Sequence, residues 1–443
     1  MSDRVRLGVG YRKLYLATAV SNIGDGMAAI AYPWLATAIT RNPLLVALVA
    51  AVQRLPWLFF TLPAGVITDR VDRKRAMVAM DGLRFLLTLG MAFAVLSAQG
   101  SLPAPEEVQS VVGTRVGLYL VLLLATLLLG CAEVLRDNCN QTFLPSIVAP
   151  EHLERANGHI WSIESAANTF IGPPVGSLLL VAAFSAPFFV DAGSFFAAAA
   201  LVAAIPGTFR PGGTGGADVQ SRSWRADLKE GFVWLWDNRL LRAMAILLGT
   251  MNLASNLSGS LFVLFAQDVL RVTPWTFTLM GFGFAAGSIA GGYIGPWLSK
   301  RYGSGTCLAV AVLAMAITQM VIGFLSNWVV VALVAAVGAA LSTLWNVITV
   351  SFRQTVIPDG LLGRVNSVYR FFAWGSIPIG AALGGLVVLI ARAFVADDMA
   401  LRIVWWVDGL LTFVVFLFVR RLLTTERLDA ARSAAAGTSG HSA

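Results

Sequence analysis

One carboxylate lies in the middle of a long apolar stretch near the start of the chain. Asp25 occurs in the segment SNIGDG, and Asn22 precedes it by about one helical turn on the same face. An ionisable group inside a membrane costs roughly 2.5–3.5 kcal/mol on insertion scales and usually faces a cavity or a partner. Asp25 can therefore exchange a proton or bind a cation, or it can form a static pair that stabilises packing. Arg54, in AVQRLP, is the expected partner in either case.

Other polar side chains within apolar runs extend this set of candidates. Glu164 is a second acidic candidate, although it lies near the end of its run, where a structural role is equally expected. Asn252 and Asn256 share a helical face and are expected to line a cavity. Arg370 lies within or near another run and receives no role.

Two charged pairs have the spacing of helical neighbours. Asp81 and Arg84 are three residues apart, as are Glu133 and Arg136. Residues at this spacing lie on the same side of a helix, so each pair is expected to neutralise itself locally. Glu133 can alternatively contact the basic loop described below.

The elements that carry these residues are predicted to be membrane-spanning helices. The 443-residue chain is 57% hydrophobic and 13% charged, with a mean hydropathy of +0.75, which is too apolar for a soluble protein. About 20 helical residues cross a bilayer core, and the longest runs exceed the length of a barrel strand. Twelve spans are predicted, at roughly 14–38, 44–67, 76–98, 116–135, 155–180, 183–205, 241–266, 275–298, 306–325, 328–352, 364–391 and 399–420.

The positive charge follows the topology of these spans. The net charge is +8, and 24 of the 32 Lys and Arg residues fall on one side of the predicted membrane, against five on the other. Positive loops stay in the cytoplasm, so both termini are expected there. The basic charge is thus a topology signal, and we expect membrane lipid rather than nucleic acid as a partner.

The chain contains an internal repeat. The segment AGVITDR (64–70) matches IGPWLSK (294–300) at an offset of 230 residues, and NQTFLP (140–145) recurs as RQTVIP (353–358). Two parallel six-helix units are therefore predicted, with a substrate held where they meet. The expected domains are a first bundle at 1–205, a cytoplasmic linker at 206–240 with an amphipathic helix at 228–240, a second bundle at 241–425, and a disordered cytoplasmic tail at 426–443.

The loop between spans 2 and 3, GVITDRVDRKRAM, resembles the signature of the major facilitator superfamily. Asp72 departs from it, since the broad family usually has glycine there. This departure and the Gly-Asp-Gly of span 1 are similar to the branch that contains macrolide-efflux and siderophore-export proteins. The matching residues are Gly65, Asp69, Arg70, Arg73 and Lys74.

The resemblance implies an all-α fold of twelve helices in two pseudo-symmetric bundles, and a cytoplasmic latch at this loop. We expect Gly65 to permit close helix packing, and Arg70 or Arg73 to pair with Asp137 or Glu133 at the end of span 4.

Span 5 contains IGPPVG, which resembles the glycine-proline element of exporters in the superfamily. Gly172, Pro173 and Gly176 match that element, and Ser177 replaces one usual glycine. An ordinary kink is the alternative interpretation, because proline removes a backbone donor.

Enzyme chemistry is excluded on the sequence. It has no P-loop, no nucleophile–base constellation and no paired cysteines or metal-ligand cluster, so no cofactor or metal is expected. The expected function is proton-coupled efflux of a hydrophobic, drug-like small molecule across the cytoplasmic membrane by a monomer. The alternatives are an exporter of an endogenous metabolite such as a siderophore, an importer, a non-transporting sensor and a lipid-translocating protein.

Overall fold

A computed structural model describes residues 7–68, 70–209 and 224–439, and these residues are predominantly α-helical. The chain divides into two compact units. One contains Met1–Gly216 with Val272–Thr278, and the other contains Ala217–Arg271 with Leu279–Ala443. Residues 1–6, Asp69, residues 210–223 of the expected linker and residues 440–443 lie outside the described residues.

The first unit is built from eight helices among its described residues. A short π-helical segment, Ala167–Ile171, joins α6 to α7. The helices are α1 (Gly8–Ile39), α2 (Pro43–Phe59), α3 (Thr61–Thr68), α4 (Arg73–Ala98), α5 (Val116–Phe143), α6 (Leu153–Ala166), α7 (Gly172–Ala182) and α8 (Ala186–Ala203).

The second unit is also helical. Its helix α12 begins within Val272–Thr278, the short segment that is grouped with the first unit. Its helices are α9 (Trp224–Asp237), α10 (Arg239–Gly259), α11 (Phe262–Asp268), α12 (Pro274–Tyr302), α13 (Ser304–Phe324), α14 (Trp328–Val356), α15 (Asp359–Ala391), α16 (Asp397–Leu422) and α17 (Thr425–Ser439).

The predicted spans correspond to long helices. Ten helical segments in the described residues are long and apolar enough to cross a membrane. The other two expected spans are α1, with 32 residues, and the shorter apolar helix α2, which α3 follows. Ser21, Asn22 and Asp25 reduce the hydropathy of α1, and the structure gives these polar residues specific partners.

Several helices begin at an asparagine that caps them. The side-chain oxygen of Asn42 accepts from the backbone N–H groups of Leu44 and Leu45 at the start of α2. Asn238 and Asn327 do the same for α10 and α14. A cap satisfies backbone N–H donors that have no partner within the helix, so each asparagine helps to define the residue at which its helix begins.

Two expectations about the connecting segments differ from the structure. The helix expected at 228–240 instead comprises Trp224–Asp237, because Asn238 ends it and caps α10. The tail expected to be disordered from residue 426 forms helix α17, Thr425–Ser439. The hydroxyl of Thr425 accepts from the backbone N–H groups of Gly305 and Thr306 at 3.1 and 3.3 Å, which ties the start of α17 to the start of α13.

Candidate functional site

Asp25 is paired with Arg84, which projects from α4. Nη2 of Arg84 lies 2.5 Å from Oδ1 of Asp25, and its Nη1 donates to the hydroxyl of Ser21 on α1 at 3.2 Å. The expected partner, Arg54, is exposed on α2. The structure therefore replaces the expected Asp25–Arg54 pair, because α4 rather than α2 presents a cation to this turn of α1.

Arg84 is held in one orientation by its surroundings. Its side chain is only 3% exposed, and its guanidinium lies over the ring of Phe195 on α8, 3.9 Å from the centroid. Its Nη1 is also 3.6 Å from Asp81, so the expected local Asp81–Arg84 pair exists but is shared with Asp25. Stacking on an aromatic face stabilises a desolvated guanidinium and excludes water from it.

A second guanidinium extends the network to α5. Nε of Arg136 lies 3.4 Å from the fully buried carboxylate of Asp81, and Nη1 lies 3.6 Å from Asp137. These contacts replace the expected Glu133–Arg136 pair. Asp81 therefore lies between two arginines, and the chain of ion pairs connects α1, α4 and α5.

The glycines beside Asp25 allow two other elements to approach α1. A Cβ on Gly24 would collide with Asp191 and Ser194 of α8. A Cβ on Gly26 would lie 2.9 Å from the carbonyl oxygen of Ala167 and from Cα of Gly172. Glycine is the only residue that fits either position without displacement. The Gly-Asp-Gly sequence thus packs α1 on both sides of Asp25.

Asp191, which the sequence leaves without a role, is buried next to this site. It is 2% exposed, and the hydroxyl of Ser194 lies 3.4 Å from its Oδ1. It interacts electrostatically with both Asp25 and Arg84. Its local sequence does not indicate these contacts, because Gly24 and Asp25 approach it from α1 and Arg84 from α4.

A small cavity adjoins these groups. Its volume is about 60 Å³, far below the roughly 300–1,000 Å³ of pockets that bind small organic ligands. It has room for water or an ion. Its lining includes Asp25, Tyr32, Arg84, Glu133, Asp191 and Phe195.

Carboxyl groups outnumber guanidiniums in this region, which we call the charge cluster. Two buried arginines, Arg84 and Arg136, interact with five acidic side chains. Exposed Arg54 also interacts electrostatically with Glu133. Protons or a bound cation can balance the excess negative charge. The five acidic residues are Asp25, Asp81, Glu133, Asp137 and Asp191.

Asn22 connects α1 to the π-helical segment. Its side-chain oxygen accepts from Nδ2 of Asn168 at 2.5 Å, while its own Nδ2 donates to the carbonyl of Thr18 at 2.8 Å. Glu164, one turn before Asn168, is half-buried and interacts electrostatically with Asp137 and Arg136. Glu164 therefore lies at the margin of the charge cluster.

The exporter-like element of span 5 packs directly on α1. A Cβ at Gly172 would lie 2.6 Å from Cα of Gly26, and one at Gly176 would lie 2.8 Å from Cα of Met27. Pro173 lies two residues after the π-helical segment and, having no N–H, cannot donate to the preceding turn. The element thus combines a local change of helical pitch with close packing.

The second unit repeats this contact. A Cβ at Gly380 would lie 2.9 Å from Cα of Leu253, and one at Gly384 would lie 3.0 Å from Cα of Leu257. Leu257 lies 230 positions after Met27, the offset at which the two halves align. The glycine contact between α15 and α10 is therefore the counterpart of the contact between α7 and α1.

The polar face of α10 also has a partner on α15. Nδ2 of Asn252 donates to the carbonyl of Ala373 at 2.6 Å, and Nδ2 of Asn256 donates to the carbonyl of Asn252 at 2.8 Å. Asn252, like its counterpart Asn22, therefore joins the first predicted span of its half to the fifth. Asp408 on α16 is fully buried and accepts from the hydroxyl of Ser258 at 2.6 Å.

The signature loop contacts the end of α8 and the chain that follows it. Oδ1 of Asp72 accepts from the N–H of Arg75 and caps α4, while Oδ2 accepts from the N–H of Phe209, both at 2.9 Å. Nζ of Lys74 donates to the carbonyl of Ile205 at 2.5 Å. Asp72, where the broad family has glycine, thus contributes a helix cap and a long-range contact.

The expected carboxylate partners of the basic loop are not the ones found. Nη1 of Arg73 donates to the backbone carbonyl of Thr142 near the end of α5, at 2.9 Å, instead of to Asp137 or Glu133. Both carboxylates belong to the charge cluster, deeper along α5. Arg70 is exposed, and Asp69 lies outside the described residues.

Gly65 does not provide the close packing expected of it. A Cβ at Gly65 would have no described neighbour within 4 Å outside its own chain neighbours and the nearby helix backbone. Close helix packing in this unit instead involves Gly24, Gly26, Gly172 and Gly176.

Comparisons with known proteins agree with this architecture. A family model described as a transmembrane secretion effector matches residues 7–435. The multidrug efflux pump Tap of Mycobacterium tuberculosis (strain ATCC 25618 / H37Rv) is 25% identical over 382 residues, covering 84% of this chain and 85% of Tap. The enterobactin exporter EntS of Shigella boydii serotype 4 (strain Sb227) is 24% identical over 429 residues, covering 94% of each chain.

Solved structures match over nearly the whole chain. A bacterial homologue of the iron transporter ferroportin has a TM-score of 0.69 at 17% identity, covering 95% of this chain and 99% of the homologue. The nucleoside transporter NupG has a TM-score of 0.65 at 12% identity, covering 94% of this chain and 99% of NupG. At these identities the matches establish the fold alone, and they confirm the predicted fold of two six-helix halves.

Proposed function

Because the chain belongs to the transmembrane secretion effector family of the major facilitator superfamily, we propose that it exports a hydrophobic or amphipathic, drug-like molecule in exchange for protons. It is a multi-pass membrane transporter and not an enzyme. The efflux direction is supported by the similarity to Tap and EntS.

The observation that carries the proposal is the Asp25–Arg84 pair beside the small cavity. An ionised Asp25 accepts a hydrogen bond from Arg84 at 2.5 Å. When Asp25 takes up a proton, the ion pair is lost and Arg84 keeps only Asp81 as its close carboxylate partner. Proton uptake thus changes a contact between α1 and α4, and a conformational change of the unit can depend on it.

The size of the cavity indicates that it can hold the coupling ion but not the exported molecule. A volume of about 60 Å³ admits water or an ion and excludes a drug-sized ligand. We therefore assign Asp25 and the charge cluster to proton binding and leave the substrate to another part of the molecule. Asn22, Glu164 and Asn252 are proposed to stabilise the helices that must move, because each interacts with another element of its unit. Asn256 donates to the carbonyl of Asn252 and is proposed to support the same contact.

Both termini are proposed to be cytoplasmic, with the signature loop on the same side. The support is the distribution of Lys and Arg over the loops, 24 against five. The protein is proposed to act as a monomer in the cytoplasmic membrane. The predicted domain limits, with bundles at 1–205 and 241–425, remain part of this proposal.

Proton movement in proteoliposomes tests the proposal. A pH-sensitive dye inside the vesicles is followed while cationic dyes, macrolides and siderophores are added to the wild type, Asp25→Asn and the control Glu151→Gln, an exposed loop residue. We expect substrate-evoked proton flux in the wild type and the control, and none in Asp25→Asn. Flux that persists in Asp25→Asn moves the proton site elsewhere, with Glu164 next.

Siderophore export is the second candidate, because the match to EntS covers 94% of both chains. It predicts that siderophores alone evoke flux in the same vesicles. The absence of flux with any compound would favour a uniporter, an untested metabolite or a sensor. Lipid scrambling without added solute would indicate a lipid-translocating protein.

A further inference from the structure

The second unit contains a cleft that the transport proposal does not use. It has a volume of about 490 Å³ and lies between the end of α12, the start of α13, the last third of α14 and α17. Lys300 and Arg432 line it with the hydroxyls of Ser299, Ser304 and Ser351. Asp429 is the one acidic side chain in its lining. The lining thus combines two cations with several hydrogen-bond donors, which is the chemistry that binds phosphate.

Arg432 is positioned by contacts on three sides. Its Nη1 donates to the hydroxyl of Ser304 at 3.1 Å and lies 3.3 Å from Asp429, and its Cζ is 5.6 Å from the ring centroid of Phe352. The Thr425 cap fixes the start of the same helix to α13. α17 is therefore a fixed wall of the cleft, and Arg432 is oriented before any ligand arrives.

The cleft lies at the level of the membrane–water interface. Trp297 and Tyr302, in the last two turns of α12, are 58% and 55% exposed, and Lys300 and Arg301 are in the last turn. Exposed tryptophan and tyrosine at the end of a spanning helix mark the headgroup region of a bilayer. A lipid that enters the cleft from the membrane would therefore have its headgroup beside Lys300 and Arg432.

Part of the lining forms an apolar wall, to which Pro296, Val347 and Ile348 contribute. A phospholipid has the matching arrangement, since its phosphate is followed by an apolar glycerol ester and acyl chains. A free phosphate ion would leave this wall without a contact.

We propose that this cleft binds the phosphate of an anionic phospholipid, with Lys300 and Arg432 as its cationic ligands. Lys300 and Arg432 against Asp429 give the cleft a net positive charge, so a zwitterionic lipid is bound less well. The hydroxyls of Ser299 and Ser351 supply further donors. This site stands independently of the proposed export activity.

Thermal unfolding of the purified full-length protein in detergent tests the site. Phosphatidylglycerol, phosphatidylcholine and soluble glycerol phosphate are added separately to the wild type and to Lys300→Gln/Arg432→Gln. A ligand that binds only the folded protein raises its Tm, and we expect a rise of at least ~2 °C with phosphatidylglycerol alone. The double variant should lose this rise, while Arg420→Gln, a cation of α16 that does not line the cleft, should retain it.

A second variant covers the case in which the double variant does not fold. Ser351→Leu narrows the cleft without touching the Arg432–Ser304 contact, and it should also abolish the lipid effect. If the double variant and Ser351→Leu show the same Tm rise as the wild type, the proposal is overturned. It is also overturned if the wild type shows no rise. An equal rise with glycerol phosphate overturns the lipid assignment in favour of a soluble phosphate.

Discussion

Arg84 is the residue on which the charge cluster depends. It contacts Asp25 and Asp81 and stacks on Phe195, and its side chain is almost fully buried. Removing one partner of a buried ion pair leaves the other charge unpaired and costs about 3–5 kcal/mol. We expect Arg84→Gln to lower the free energy of unfolding by about 3 kcal/mol and to lower Tm in detergent, while Arg54→Gln at the exposed site has little effect.

A double variant distinguishes the ion pair from packing. If the loss comes from the unpaired charge, Arg84→Gln/Asp25→Asn should be more stable than Arg84→Gln alone. Equal Tm values for the two variants would indicate that the lost stability comes from the missing contact between the Arg84 guanidinium and the Phe195 ring.

Gly24 provides a residue-scale test of the packing around Asp25. A Cβ there would collide with Asp191 and Ser194, so Gly24→Ala forces α1 and α8 apart. Overpacking of this kind costs about 1–3 kcal/mol, and we expect a lower Tm. Gly90→Ala on α4 is the matched control, because a Cβ there meets nothing within 4 Å and should leave Tm unchanged or raised. A neutral Gly24→Ala would contradict the close approach of α8.

The sequence could identify Asp25 but not its partner. A carboxylate inside an apolar run is visible in the sequence, whereas the helix that faces it depends on packing order. Arg54 and Arg84 both lie on neighbouring spans, and only the structure distinguishes exposed Arg54 from buried Arg84. The sequence around Asp191 gives no sign of its surroundings for the same reason, since Gly24 and Arg84 approach it from other helices.

Among the structural elements, the signature loop joins α4 to the chain that leaves α8. Asp72→Ala removes the cap of α4 and the bond to the N–H of Phe209, each worth about 1 kcal/mol. Asp72→Asn keeps one oxygen for the cap and loses the acceptor for Phe209. We expect both variants to speed amide hydrogen exchange at Phe209, with Asp72→Ala also lowering Tm more than Asp72→Asn.

Exposed Arg70→Gln in the same loop is the control for that comparison, and it should leave exchange at Phe209 unchanged. Unchanged exchange in Asp72→Asn would show that the Oδ2 contact does not hold this segment. Equal Tm losses in the two Asp72 variants would argue against the cap as a separate contribution.

The repeat could be predicted from sequence more fully than the segments that connect the spans. Asn22 and Asn252 are 230 residues apart, and so are Met27 and Leu257, which Gly176 and Gly384 contact. The offset is kept because helices that pack through glycine tolerate few shifts in register. The tail from residue 426, for which the sequence predicts disorder, contains few large apolar residues. Its order depends on Thr425 and Arg432, whose partners lie more than 100 residues earlier in the chain.

For the whole molecule, the distribution of Lys and Arg predicts the orientation in the membrane. Ser110, in the loop between α4 and α5, and Glu151, in the loop between α5 and α6, are both exposed and lie at opposite ends of α5. Under the positive-inside rule the first loop faces outward and the second faces the cytoplasm. In a background without Cys131, Cys139 and Cys307, Ser110→Cys should react with a membrane-impermeant maleimide in intact cells, and Glu151→Cys only after permeabilisation. The reverse pattern would mean that the orientation in the membrane is opposite to the predicted one, with the signature loop and α17 outside the cell. It would contradict the proposed cytoplasmic location of both termini.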